Sequence, residues 1–211
     1  MTGAALGGFT LVAILAVITP GLDTMLVLRH SLLSGRSAGL LAALGIATGC
    51  LVWGTASIVG LTALLTASEL AYNAVRILGA AYLIWLGSSA LWKTLRRGRR
   101  TESDGVPEVA ASMGTWTAFR AGMLTNLVNP KAGVFYMSLL PQFLPTGPAA
   151  FSWGALLVAI HLAVGLVWLP GLVWVAGRAR AFFQRERVRR WLDRVTATVL
   201  IGLGLKLAAN V

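Results

Sequence analysis

Between Arg36 and Glu69 the chain carries no charged residue. A bilayer core is crossed by about 20 mostly apolar residues in helical form, and this run is long enough to do so. Hydrophobic residues make up 57% of the chain and charged residues 12%, with a mean hydropathy of +0.77. A soluble domain carries roughly 25% charged residues. So few charges do not cover a water-facing surface, and the bilayer is the expected solvent. The 211 residues accommodate six such helices with short connections, so one membrane domain (1–211) is expected.

The apolar runs divide as follows. Span one covers about Ala4 to Leu28 and is interrupted by Thr19, Pro20, Gly21 and Asp23. Span two covers Gly39 to Leu65, where Gly45 and Gly49 have the spacing that lets helix backbones approach closely. Span three covers Val75 to Trp92, and a charged linker follows over 93–112. Span four covers Trp116 to Leu140 and contains Asn126, Asn129, Pro130 and Lys131. Span five covers Ser152 to Ala176 with His161 inside, and span six covers Trp191 to Ala208. The N-terminal run is too long for a signal-peptide core and is read as a retained span.

The net charge of +11 lies in a few short stretches between apolar runs, which argues against nucleic acid as its partner. Lys and Arg crowd into the first, third and fifth loops, so these are expected in the cytoplasm, with both termini outside. Trp92, Trp116, Trp174 and Trp191 fall near the same interface. The stretch Arg178 to Arg194 holds seven arginines interleaved with Phe182, Phe183, Val188 and Trp191. It reads as an interfacial helix on anionic lipid. Cys50 is the single cysteine, which excludes an intramolecular disulfide, a CxxC pair or a thiolate metal cage. No cofactor is expected.

The halves 1–92 and 113–211 resemble each other. Ile18-Thr19-Pro20-Gly21 parallels Val128-Asn129-Pro130-Lys131, Leu51-Val52-Trp53 parallels Leu166-Val167-Trp168, and Leu83-Ile84-Trp85-Leu86-Gly87 parallels Leu200-Ile201-Gly202-Leu203-Gly204. With three spans in each half, the second copy enters the membrane from the opposite side. The expected fold is therefore all-α: six transmembrane helices as two inverted three-helix repeats, with spans one and four broken at Pro20 and Pro130. Paired mid-membrane breaks point to a substrate site, although a kink that only helps packing is the plainer alternative.

Thr19-Pro20-Gly21-Leu22-Asp23, followed by Gly35-Arg36-Ser37-Ala38-Gly39, resembles the N-terminal half of the LysE/RhtB amino-acid exporters. Gly122 to Lys131, continuing to Leu140-Pro141-Gln142-Phe143, resembles that family's second signature, and Gly79 to Gly87 fits its third span. Leu22 stands where the family usually has proline, and Cys50 where many members carry a polar or acidic residue. The resemblance implies export of amino acids or close relatives across a bacterial cytoplasmic membrane, driven by the proton gradient.

Asp23 and Lys131 carry the chemistry of the candidate site. A charge at depth costs about 2.5–3.5 kcal/mol on insertion scales, so it faces a partner or water. Asp23 is expected to bind the substrate ammonium or exchange a proton. Lys131 is expected to meet the carboxylate or act as counter-ion, with Asn126 and Asn129 donating hydrogen bonds and the freed groups at Pro20, Gly21 and Pro130 completing a zwitterion site. A structural ion pair between the halves is the alternative. His161 is either a proton relay or a histidine bonded to a neighbouring helix, and Cys50 is read as a packing residue. Glycine-rich helix faces suggest a homodimer. Metal-ion or other small-solute efflux and a non-transport accessory subunit stay open. Neither HExxH nor GxSxG occurs, and the chain is not expected to be an enzyme.

Overall fold

The computed structural model describes residues 3–67, 115–145 and 149–176 continuously, with isolated positions from 74 to 92 and from 178 to 205. Among the described residues there is helix and no strand. Helices α1 (Gly3–Ile18) and α2 (Leu22–Leu33) make up the first expected span, and α3 (Arg36–Ala67) the second. Helix α4 (Thr115–Leu127), α5 (Pro130–Val134), a π turn (Phe135–Leu139) and a 3-10 turn (Leu140–Phe143) share the fourth. Helix α6 (Ala150–Trp174) is the fifth. The third and sixth expected spans, the linker 93–112 and the 178–194 stretch lie almost wholly outside the described residues.

Among the described residues two helices are long and apolar enough to cross a membrane, and a bent pair counted as one span makes three. They are Arg36–Gly60 of α3, Ala150–Trp174 of α6, and α1 with α2 taken as one span bent by 48°. The outward faces agree with a hydrocarbon surround: Leu11, Leu51, Val59, Phe151 and Val167 are all exposed. A water-soluble surface rarely shows apolar patches on that scale. The described residues are all helix and turn, with the apolar outward faces of a membrane protein.

Both interruptions of helix follow from backbone chemistry. Pro20 lacks an N–H and its ring displaces the carbonyl four residues back, so α1 ends at Ile18, with the Thr19 backbone N–H still donating to the Leu15 carbonyl at 3.1 Å. The Thr19 hydroxyl donates to the same carbonyl at 2.6 Å. Helix α2 restarts with Met25 N–H donating to the Gly21 carbonyl at 3.0 Å. The second break falls at Val128 and Asn129, just ahead of Pro130. Pro130 is the first residue of α5, where a missing N–H leaves nothing unpaired. Asn129 caps that helix, its Oδ1 accepting from Lys131 N–H at 3.0 Å. Pro130 thus opens a new helix instead of kinking an old one. Between α2 and α3, Gly35 turns the chain at φ 88°, a left-handed conformation that glycine adopts without penalty.

Glycines set the helix spacing. A Cβ on Gly45 would run into the Phe119 carbonyl of α4, and one on Gly122 into the Ala42 carbonyl of α3. The two backbones are in direct contact there, as the Gly45 and Gly49 spacing suggested. One turn on, a Cβ on Gly49 would fall 2.7 Å from the Asn126 side chain. Helix α6 lies against α3 in the same manner, with Gly154 facing Ile58 and Gly54 facing Val158.

Apolar packing forms two clusters. One contains Val27, Leu28, Ala42, Ile46, Leu169 and Val173; the other contains Phe9, Val12, Phe135, Tyr136, Leu140 and Leu157. Cys50 packs against both, so it marks the level between them. At one end of the bundle the Arg36 guanidinium lies 4.7 Å from the centre of the Trp174 ring. The start of α3 and the end of α6 therefore share a side.

Candidate functional site

The two breaks meet between the apolar clusters. There the helices leave a cavity of about 70 Å³, lined by Thr19, Gly21 and Asp23 from the first break and by Asn126, Asn129 and Lys131 from the second. The candidate substrate-site residues are at this cavity or bound it: Pro20 lies between two lining residues, Pro130 between two more, and His161 and Cys50 form part of the wall.

The polar end is built from helix termini. Helix α1 ends just before Thr19, and its last carbonyls carry the negative end of the helix dipole. The Lys131 ammonium donates to the Thr19 carbonyl at 2.7 Å. A base from the second half therefore satisfies a backbone group that the Pro20–Gly21 break leaves outside the helix. Gly21 leaves room for the lysine stem, since a Cβ there would lie 3.8 Å from Lys131 Cδ. Asp23 is in the first turn of α2, where the dipole favours an anion.

Asn126 ties the acid down. Its Nδ2 donates to Asp23 Oδ2 at 2.9 Å and lies 3.3 Å from Cys50 Sγ. Because a carboxylate accepts only, it fixes which way the amide points. Asn126 itself is 0% exposed, and its backbone carbonyl accepts from Trp53 Nε1 at 3.4 Å and from Asn129 N–H at 3.0 Å. Lys131 and the Asn129 side chain both act on the Asp23 carboxylate as well. Two acceptors are left over: Asp23 Oδ1 and Asn126 Oδ1 are buried and accept no hydrogen bond within the protein. A buried acceptor left unpaired costs about 1–3 kcal/mol.

The far wall is a polar chain set in aromatics. His161 Nδ1 lies 2.7 Å from the Tyr136 hydroxyl, and the His161 and Phe135 ring centres are 4.1 Å apart. The Tyr136 hydroxyl in turn neighbours the Cys50 thiol. His161, Tyr136, Cys50, Asn126 and Asp23 thus form a continuous series of polar side chains from α6 to α2. The π turn that carries Tyr136 is held by Ser57, whose hydroxyl donates to the Tyr136 carbonyl at 2.6 Å.

Sequence reasoning singled out the charged and amide residues but not Tyr136, Phe135, Ser57 or the Thr19 carbonyl. Tyr136 follows Lys131 by five residues, a spacing that reaches one face only across a π turn. Cys50, read from the sequence as a packing residue, both packs and lines the cavity.

The model of the LysE type translocator family matches residues 14–211. A membrane protein of Bacillus subtilis (strain 168), YrhP, is 29% identical over 197 residues, 92% of this chain and 94% of that one. A leucine efflux protein of Enterobacter sp. (strain 638) is 26% identical over 93% of this chain and 92% of its own. A threonine efflux protein of Salmonella typhi is 26% identical over 93% of this chain and 94% of its own. No solved structure matches the chain.

Proposed function

The chain belongs to the LysE type translocator family, a transporter and not an enzyme, and on that premise we propose that it exports amino acids or their derivatives from the cytoplasm. The observation that carries this reading is the meeting of an acid, two amides and a base at one cavity. Asp23, Asn126 and Asn129 line it, and an ammonium offers three donors to such a set. Lys131 lines the same cavity, where its ammonium can receive a carboxylate. An acid and a base lining one small cavity are the complement of a zwitterion. The relatives named for leucine and threonine efflux support the same substrate class.

Export is coupled to protons moving inward, with Asp23 exchanging its proton for the substrate ammonium and His161 passing the proton through Tyr136 and Cys50. Alternating access follows from two inverted repeats that rock about the breaks at Pro20 and Pro130. The chain sits in the cytoplasmic membrane with both termini outside and loops one, three and five inside. Arg178 to Arg194 lies on anionic lipid, and the assembly is a homodimer. Among the described residues no three His, Cys, Asp or Glu side chains converge, so no observation favours metal efflux.

Proteoliposomes loaded with a panel of neutral, basic and hydroxylated amino acids test the proposal. Release of at least one of them, faster under an imposed pH gradient than without it, is the expected result; release of none ends the exporter reading. The proton route has its own test. His161→Gln is expected to slow gradient-driven export by roughly 10²-fold, the lower range for a lost proton-transfer group. Exchange of labelled for unlabelled substrate, which moves no net proton, is expected to continue. Equal loss in both assays would make His161 a structural residue.

A further inference from the structure

Helical hydroxyls in this chain have an ordinary use, and Ser57 departs from it. Thr10, Ser31 and Thr48 each donate to the carbonyl four residues back, where a helical Ser or Thr finds its nearest acceptor. Ser57, 0% exposed on α3, instead crosses to the π turn and donates to the Tyr136 carbonyl at 2.6 Å. The reason lies a few residues further along. In a π turn an N–H reaches the carbonyl five residues back, as Leu140 N–H does to Phe135. The next rung would run from residue 141 to the Tyr136 carbonyl, and Pro141 has no N–H to give. A carbonyl left unmet inside a bilayer is costly, and a Ser or Thr side chain of a neighbouring helix is one remedy. Helix α3 holds the Tyr136 ring as well: a Cβ on Gly54, one turn before Ser57, would lie 3.3 Å from its Cε1.

A competing register is close by. With α spacing, Leu140 N–H would turn to the Tyr136 carbonyl, which would then need no donor from α3. Closing the wider ring rotates the chain on one side of it against the other by about 100°, one residue's turn. The Tyr136 hydroxyl could not then stay 2.7 Å from His161 Nδ1 while Leu140 keeps its fully buried place. We propose that Ser57 is a positioning residue for transport: its hydroxyl holds the π register, and through it the Tyr136 hydroxyl against His161. This rests on the exporter reading above and its proton route, and adds the residue that sets their geometry.

Pro141→Ala makes the test specific, because it restores an N–H where the π ladder lacks one. Ser57→Ala is expected to slow gradient-driven export from proteoliposomes about tenfold, the equilibrium weight of one orphaned acceptor, while exchange of labelled for unlabelled substrate continues. Ser57→Thr keeps the hydroxyl and is expected to export like the unmodified protein. In the Pro141→Ala background the Ser57→Ala change is expected to cost nothing, since the N–H at position 141 now meets the Tyr136 carbonyl. That comparison also decides the matter if Ser57→Ala alone fails to assemble. Melting in detergent reads the same contact without transport: Ser57→Ala is expected to lower the melting temperature, and to leave it unchanged once Pro141→Ala is present. Unchanged export in Ser57→Ala, an equal fall in export and exchange, or a loss that persists in full beside Pro141→Ala overturns the positioning role. If His161→Gln leaves gradient-driven export intact, the proton route fails and this role with it. If the unmodified protein moves no amino acid at all, the exporter reading itself fails.

Discussion

Asp23→Asn and Lys131→Ala are each expected to reduce export from loaded proteoliposomes by about two to three orders of magnitude while the protein still reaches the membrane. Truncating one partner of a buried, hydrogen-bonded charge contact with a ligand costs about 2–5 kcal/mol of binding, and each 1.4 kcal/mol is a factor of ten. Asp23→Asn keeps the shape of the side chain but removes the charge that an ammonium requires. Lys131→Ala removes the donor to the Thr19 carbonyl, 2.7 Å away, and with it the cation facing the substrate carboxylate. The structural alternative gives a different pattern. If the pair serves only to hold the two breaks together, the double variant Asp23→Asn with Lys131→Met, which leaves no lone charge behind, regains both thermal stability and export. If the pair binds substrate, stability returns and export does not. Normal transport in both single variants would remove these residues from the site.

Gly122→Val is expected to have the largest effect on assembly, through packing and not charge. A Cβ at Gly122 overlaps the Ala42 carbonyl, and one at Gly45 overlaps the Phe119 carbonyl. Neither obstacle is a side chain that can rotate away, so α3 and α4 must separate. Overpacking in a core costs about 1–3 kcal/mol, and contact with backbone puts these positions at the upper end. For a chain of this size that lowers the melting temperature by about 6–12 °C, measured in detergent, and Gly45→Val is expected to behave alike. Gly60→Ala supplies the contrast. No atom lies within 4 Å of its Cβ position, and alanine favours a helix over glycine by about 0.5–1 kcal/mol. No loss of melting temperature is expected there, and a loss equal to that of Gly122→Val would refute the close-contact account.

These two sets of residues were legible to different degrees. Asp23, Lys131, Asn126 and the two prolines stand out in the sequence because hydrocarbon penalises them, so their presence at depth demands a reason that no packing argument supplies. The glycine spacing at Gly45 and Gly49 was visible too, though its partner was not. Gly122 faces Ala42, and no property of either residue announces the other.

The chain's amino acids settle what solvent it lives in, where its helices break, and which polar groups the membrane interior must accommodate. Each of these is a local property: hydropathy over one span, a missing N–H, a charge with nowhere to hide. Which face of each helix turns inward is not local. Helices α3 and α6 are apolar all round, so no periodicity marks the buried side. Only packing against neighbours sets their rotation. That rotation brings Lys131 to the Thr19 carbonyl, places Tyr136 against His161, and leaves Asp23 Oδ1 and Asn126 Oδ1 without donors.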